Sequence, residues 1–522
     1  MPPAIILSTL NAKYIHASLG LRYLLANMAR HGGADLRERT VLREFTIARA
    51  VPEIVDALLA ELGEPDDGAV QVVGFGVYIW NVVPSTEVVR RLKQARPALK
   101  IVLGGPEVSY EWADQEIVRL ADHLITGWGD VSFPKLCRAL LHGPRPLMKV
   151  ITGEQPALAD IELPYAEFSA DDLAHRLLYV EASRGCPFKC EFCLSSLDKT
   201  AWAFEQDRFL AALETLYQRG ARNFKFVDRT FNLKIDSSLT ILQFFLDRLT
   251  PDLFLHFEVI PDHLPERLKE MIARFPHGVL QFEVGIQTFN PKVQQAISRR
   301  QDNAKTCENL TWLVNHSHAH LHTDLIFGLP GETLASFAQG FDRLYALRPH
   351  EIQLGVLKRL RGTPIVRHSV ASGMVYDAEP PYTVQQTAVV DASTVQRFTR
   401  LARYWDLIAN SGRFPKTLPL LLAGPSPFAA FLAFADWLWN STAQTSRLTP
   451  ENLVDALFVY LTEVMGGESE GIRKSLLADY QSSGARANPA CLKGLLSDRA
   501  DPLPRATRAL AQRQDRHGGA VG

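Results

Sequence analysis

The sequence predicts an α/β protein in three blocks. A Rossmann-like doubly wound sheet is expected over residues 1–150, an open, partial (β/α)6 barrel over 151–365, and a mainly helical block over 366–522. Three observations carry that prediction. Short β-type apolar runs alternate with amphipathic stretches as far as residue 142 and again from 178 to 356, and strand signals fade from 366 onward. A stretch rich in Pro, Asp and Glu (152–168) reads as a linker between the two alternating regions. The length of 522 residues is too great for one unit at about 150 residues per domain.

In the first block, strands are expected at 4–10, 40–45, 71–77, 100–104 and 123–126, with helices at 17–31, 52–62, 84–95, 110–120 and 131–141. Such β/α units build a parallel sheet whose ligands sit beyond the carboxyl ends of the strands. The residues there include Gly104, Gly105, Gly127 and Gly129, which let a ligand approach the backbone, and Trp80 and Trp128, which offer flat apolar walls. The second block places strands at 178–182, 223–227, 255–259, 278–284, 320–326 and 351–356. Six units make an incomplete barrel with its site at the C-terminal strand ends, where Glu181, Asp228, Glu258, Glu283 and Asp324 fall. Helices at 393–411 and 428–439 represent the third block, the latter read as core. The tail from 498, with Arg499, Arg505, Arg508, Arg513 and Arg516, is expected to fray.

Apolar residues make up 47% and charged residues 22%, which excludes a largely disordered, collagen-like or coiled-coil chain. A net charge of −1 lacks the field of a dedicated nucleic-acid binder. The first residues show no secretion signal, and the longest apolar run, 418–439, is broken by Gly424-Pro425-Ser426-Pro427 and carries Asp436. No membrane span is therefore expected, and a cytoplasmic location is. Six cysteines are too few for a disulfide-stapled scaffold.

Three of the six, Cys186, Cys190 and Cys193, are spaced C-x3-C-x2-C, whereas Cys137, Cys307 and Cys491 lie far apart and read as small core residues. A structural zinc site closes with four ligands, and only His175 lies near the three cysteines. Three thiolates suit an iron–sulfur cluster better, and a cubane held by three leaves one iron open.

The segment Ser183-Arg184-Gly185-Cys186-Pro187-Phe188-Lys189-Cys190-Glu191-Phe192-Cys193, with aromatic Phe192 before the last cysteine, resembles the radical S-adenosylmethionine (SAM) superfamily. Phe282-Glu283-Val284-Gly285-Ile286-Gln287-Thr288 and the stretch 324–333 resemble later strand motifs of its anaerobic, multidomain members. The resemblance implies a 4Fe–4S cluster on Cys186, Cys190 and Cys193, with SAM chelating the open iron and cleaved by one electron to a 5′-deoxyadenosyl radical. It also implies that Phe192 borders SAM, with Asp228 near its methionine moiety and Glu283, Gln287 and Ile326 near its ribose and adenine. The Gly-Gly-Glu form of the methionine-binding motif is absent at 227–230. Structural readings stay open for Asp228, as a cap or ion-pair partner, and for Glu283 and Gln287, as hydrogen-bonding groups of the barrel mouth.

A Rossmann-like block with Gly104-Gly105-Pro106-Glu107 and Gly127-Trp128-Gly129-Asp130 ahead of such a barrel is similar to the cobalamin-binding domain of the cobalamin-dependent subfamily. This implies cobalamin against Gly104, Gly105, Gly127 and Gly129. The segment 14–20 departs from the D-x-H-x-x-G signature, so His16 is read as the start of the first helix, facing solvent or the cofactor edge, and not as a cobalt ligand. Segments 226–232, 357–364 and 400–406 resemble a bacterial group of such proteins with a C-terminal domain of unknown function.

The resulting expectation is an enzyme that modifies an unreactive carbon of a small-molecule or peptide substrate, foremost by methylation, with an external electron donor of flavodoxin or ferredoxin type. Radical cyclisation or rearrangement with the same cofactors is the sister reading. A tRNA-modifying enzyme without cobalamin is the alternative, opposed by the absence of any cysteine before Cys137. A cofactor-sensing protein would need an output module, and the sequence resembles none.

Overall fold

In the computed structural model, β1 (Ile5–Asn11), β2 (Thr40–Thr46), β3 (Val72–Gly76), β4 (Lys100–Gly104), β5 (His123–Thr126) and β6 (Val150–Thr152) form one parallel sheet in the order β2-β1-β3-β4-β5-β6. The structure describes residues 3–65, 69–483, 485, 487–496 and 516–517. The winding direction reverses between β1 and β3, the flavodoxin-like variant of a doubly wound sheet, and ligands bind at that switch point. The central strands β1, β3 and β4 are buried on both faces. Ile6, Val73, Phe75 and Ile101 pack with helices Val51–Leu62 and Val82–Ala95, while Ile5, Leu7, Val72 and Val102 pack with helices Leu19–Gly32 and Ser132–His142. Packing on two apolar faces is why these strands read as short apolar runs in the sequence.

Two expectations need correction here. A sixth strand, β6, joins the sheet edge beside β5; its three residues are too few for an alternation to register. The helix expected at 110–120 shrinks to Glu116–Leu120. The preceding loop is held irregular by the Gln115 amide, which donates to the carbonyls of Glu107 (3.0 Å), Tyr110 (3.2 Å) and Glu111 (3.2 Å).

The stretch 152–168 is also folded and not a free tether. Turns of 3-10 helix at Leu158–Asp160 and Pro164–Glu167 bury Ile161, Tyr165 and Phe168. Beyond it, β7 (Leu178–Val180) is followed by a small antiparallel pair, β8 (Ser183–Arg184) and β9 (Trp202–Ala203). The second parallel sheet continues through β10 (Asn223–Phe226), β11 (Phe254–Val259), β12 (Leu280–Gln287), β13 (His320–Phe327) and β14 (Glu351–Val356), in the order β7-β10-β11-β12-β13-β14. Neighbours in sequence are neighbours in space, and β7 does not pair with β14, so the barrel stays open.

Both edges of that opening are covered. Leu177, just before β7, bridges to His16 of the first block, and its N–H donates to Ile15 O at 3.0 Å. At β14, the Asn410 amide accepts from Ile352 N and donates to Ile352 O, each at 3.0 Å.

The third block is mainly helical, with helices Ala392–Ile408, Pro427–Thr442, Pro450–Val459 and Ser469–Ser482. It also contains an unexpected hairpin, β15 (Val375–Tyr376) with β16 (Val384–Gln386), whose strands are too short to leave a periodic signal. Its helices share one core with the barrel: Phe398 stacks on Phe327 at 4.1 Å between centroids, and Trp405 meets Phe341 edge-on at 4.9 Å. In helix Pro427–Thr442, Phe428, Phe431 and Phe434 are buried, so its apolar stripe is core. Arg499, Arg505, Arg508 and Arg513 lie outside the described residues. Arg516 is described, and donates to Ser411 O at 2.8 Å.

A buried ionic group joins the first two blocks. Arg22, 2% exposed, meets Glu44 and Asp172 at 2.8 Å each, and Arg176 meets Glu44 at 2.8 Å and Asp172 at 3.4 Å. No described helix is long and apolar enough to cross a membrane.

Candidate functional site

The loops beyond β1, β3, β4 and β5 enclose a cleft of about 290 Å³. Gly104, Gly105, Gly127 and Gly129 all line it, with Tyr78 and Trp128 from the first block and Glu181 and Arg184 from the barrel. At Gly105 (φ +106°) a Cβ would stand 2.5 Å from the Val77 carbonyl oxygen, so only glycine closes this turn against β3. At Gly127 (φ +74°) nothing lies within 4 Å of where a Cβ would be, which keeps the cleft open. These backbone walls fit a large planar cofactor. Trp80 backs Tyr78, stacked on it at 4.5 Å, and is not among the lining residues.

His16 has a different place from the one expected. Ser18 caps the first helix, which starts at Leu19, and the His16 ring meets the Tyr179 hydroxyl at 2.7 Å, against the barrel.

Cys186, Cys190 and Cys193 line a second pocket of about 230 Å³ at the barrel mouth, together with Phe192, Arg229, Glu258, Glu283, Gln287, Arg299 and Asp324. Cys186 and Cys190 are buried and Cys193 is half-buried. Among the described residues, no three His, Cys, Asp or Glu side chains converge as ligands of one metal ion. A single tetrahedral ion needs that convergence, whereas a cubane binds each thiolate through a different iron. Three thiolates in one pocket are the donor set of a 4Fe–4S cluster with one open iron. Burial raises the Cys190 thiol; Arg299 opposes it, with Nη1 3.7 Å from the sulfur.

The loop is pinned from two sides. Toward the first block, Cys186 N donates to Asp198 O at 2.9 Å. Toward the third, Glu191 is 3% exposed; it accepts from Ser298 Oγ at 2.5 Å, faces His368 Nε2 at 2.8 Å and pairs with Arg367.

The inward positions of the barrel are charged. Burial opposes ionisation of Glu283, but the hydrogen bond from His256 (3.1 Å) and the Lys225 ammonium (3.2 Å) outweigh it and hold the carboxyl well below its ordinary value. Burial disfavours the His322 cation, yet Asp324 (3.4 Å) and Glu351 (3.6 Å) raise its pKa to about 9. Glu258 pairs with Arg229 at 2.5 Å.

Phe192, Glu283 and Gln287 thus lie with the cysteines, Gln287 in a left-handed conformation (φ +68°) at an irregularity of the β12–β13 pairing. Ile326 does not line the pocket and packs in the apolar cluster that also holds Phe192. Asp228 lies outside the pocket: it accepts from Ala182 N (2.9 Å) and Ser183 Oγ (2.5 Å), and burial pushes its carboxyl up to about 7 against those bonds. Arg299, Glu191 and Asp198 went unnoticed in the sequence, where nothing but adjacency to a cysteine marks Glu191 and nothing marks the other two.

Residues 180–344 match the radical SAM superfamily, residues 6–137 the B12 binding domain, and residues 371–514 a protein family of unknown function, DUF4080. The first two domains imply a 4Fe–4S cluster, SAM and cobalamin. The cobalamin-dependent radical SAM methyltransferase TokK of Streptomyces tokunonensis is 25% identical over 338 residues, covering 58% of this chain and 49% of that protein. The 2-(S-pantetheinyl)-carbapenam-3-carboxylate methyltransferase of Streptantibioticus cattleyicolor is 23% identical over 331 residues, covering 57% and 47%. The chain spans about half the length of these curated relatives. Among solved structures, the cobalamin-dependent SAM radical enzyme OxsB with aqua-cobalamin aligns at a TM-score of 0.62 and 12% identity, over 99% of this chain and 84% of that one. The methyltransferase TsrM from Kitasatospora setae, with cobalamin and a 4Fe–4S cluster, aligns at 0.53 and 15% identity, over 73% and 78%. At these identities the likeness is one of fold.

Proposed function

We propose that the chain, whose residues 180–344 match the radical SAM superfamily and 6–137 the B12 binding domain, transfers a methyl group to an unreactive carbon of a small-molecule or peptide substrate. One observation carries this reading: Arg184, two residues before Cys186, is itself a wall of the glycine-lined cleft, so one short stretch of chain links the two pockets. When bound, the cluster with SAM would supply one-electron cleavage of a sulfonium, and cobalamin a transferable methyl group.

The chain's own residues have separate tasks in this reading. Cys186, Cys190 and Cys193 hold the cluster, and the Arg299 guanidinium favours the thiolate form of Cys190. Phe192, Glu283 and Gln287 border SAM, Ile326 supports Phe192 from its apolar cluster, and Asp228 positions the start of the cysteine loop through Ser183. Gly104, Gly105, Gly127 and Gly129 accommodate the corrinoid. The division of labour follows the three blocks: 1–150 for cobalamin, 151–365 for radical chemistry, 366–522 as the helical support of the barrel's outer side. An external donor of flavodoxin or ferredoxin type supplies the electron. Relatives named as methyltransferases favour methylation over cyclisation or rearrangement, and the B12 match over the N-terminal block disfavours a tRNA-modifying enzyme without cobalamin.

Anaerobic purification with cobalamin supplied should give a corrinoid band, a cluster band and 5′-deoxyadenosine from SAM. Replacing Cys186, Cys190 and Cys193 with alanine should abolish the last two and spare the first. Cleavage of SAM by that variant, or a parent protein without corrinoid, refutes the proposal.

A further inference from the structure

The cleft loop Gly127–Asp130 and the cysteine loop meet at two points. The Trp128 indole N–H donates to the Asp198 carboxylate at 2.8 Å, while the Asp198 carbonyl accepts from Cys186 N at 2.9 Å. One residue thus holds a cleft wall with its side chain and a cluster cysteine with its backbone. Thr200 steadies it, donating to the other carboxylate oxygen from N (3.0 Å) and Oγ1 (2.8 Å). The second point is Arg184, 11% exposed, which binds Asp130 through two bonds (2.8 and 3.0 Å) and Glu181 at 2.7 Å. Its guanidinium lies 4.4 Å from the Tyr23 ring and 4.8 Å from the Trp128 ring.

There is no slack between these points. A Cβ at Gly185 (φ +82°) would stand 2.7 Å from Thr200 Oγ1, 2.8 Å from Ala201 N and 2.9 Å from Asp198 O, so the segments on either side are in direct contact. Asp198 lines neither pocket and acts only through its partners.

We infer that Asp198, with Trp128 and Arg184, couples the two cofactor sites, so that loading the cluster tightens cobalamin binding and cobalamin in turn retains the cluster. The inference rests on the reading that both cofactors bind. A cluster fixes Cys186, Cys186 fixes Asp198, and Asp198 fixes the Trp128 wall. The second cofactor then meets a loop already ordered and loses less conformational freedom on binding. Linkage makes the effect reciprocal. Asp198 is a positioning residue.

Hydroxocobalamin is titrated, with visible absorbance as the readout, into protein reconstituted with iron and sulfide and into the same protein stripped by a chelator. The ratio of the two Kd values is the measurement. In the parent it should be about fivefold or more in favour of the loaded form, and hydroxocobalamin should slow iron release to the chelator. In Asp198→Ala, which removes the acceptor of the Trp128 N–H, the ratio should fall to near one and iron release should become indifferent to cobalamin, with each cofactor still bound alone. Trp128→Phe removes the indole N–H and keeps a ring at the wall, so it should give the same collapsed ratio if Asp198→Ala does not fold. A parent that binds both cofactors with a ratio of one overturns the coupling, as does a ratio that survives in the variant that folds. A parent that binds no hydroxocobalamin at all overturns the functional reading, and this inference with it.

Discussion

Replacing Glu191 with alanine tests whether the cysteine loop depends on the barrel's far side. The carboxylate is 3% exposed and serves Ser298 Oγ, His368 Nε2 and Arg367. Alanine strands two half-enclosed donors, Ser298 and His368, the latter side chain 16% exposed. A stranded buried donor costs about 1–3 kcal/mol. Partial access to water puts each near the lower end, giving about 2–3 kcal/mol for the pair. Arg367, 59% exposed, rehydrates and adds little. The backbone bonds Glu191 N to Ile297 O and Ile365 N to Glu191 O, both 3.0 Å, remain, so the fold survives while the loop loosens. Urea unfolding of the cluster-free protein should show the loss, and iron per chain after anaerobic reconstitution should drop markedly. Glu191→Gln keeps the shape and an acceptor, and should retain most of both. An alanine variant with unchanged unfolding midpoint and full iron content would refute the reasoning.

Three further outcomes are expected. Gly105→Ala should cost about 1–3 kcal/mol from its left-handed backbone alone, and the push against the Val77 carbonyl should weaken hydroxocobalamin binding about tenfold; unchanged titration curves would contradict it. His322, raised from 6.5 to about 9, contributes stability that is complete below pH 6.5 and lost as pH climbs through 9. The ceiling is about 3 kcal/mol, and burial of Asp324 keeps the net gain below it; urea midpoints measured across that window should decline in the parent and flatten in His322→Gln. Arg22→Met leaves Glu44 and Asp172 to share the Arg176 guanidinium, and should destabilise by about 3 kcal/mol, the low end for breaking a buried ion pair; a loss under about 1 kcal/mol would mean the group is not a structural joint.

Every parallel strand of four or more residues lies within three residues of its expected bounds. The expected bounds 100–104, 123–126 and 351–356 coincide with β4, β5 and β14. What escaped was short, as with β6, β15 and β16, or was decided by a side chain's bonds to the backbone, as where Gln115 holds the expected helix start at 110–115 in a loop. The site divides in the same way. Three cysteines within one loop are visible as spacing, and glycines at strand ends are visible as turns. Asp198 and Trp128 stand 70 residues apart, Glu191 and His368 177 apart, and a partnership at that distance leaves no trace in local pattern. The bonds that Asp228 accepts from Ala182 N and Ser183 Oγ, 46 and 45 positions away, are likewise invisible in local pattern.

An incomplete barrel has two raw edges, each able to template a strand from another molecule. The Asn410 amide, facing both polar groups of Ile352, behaves like one residue of a missing seventh strand, and Leu177 spends the other edge on the first block. The chain can therefore keep an unclosed barrel without becoming prone to edge-to-edge self-association. Replacing Asn410 would expose that hazard before it harmed any cofactor site.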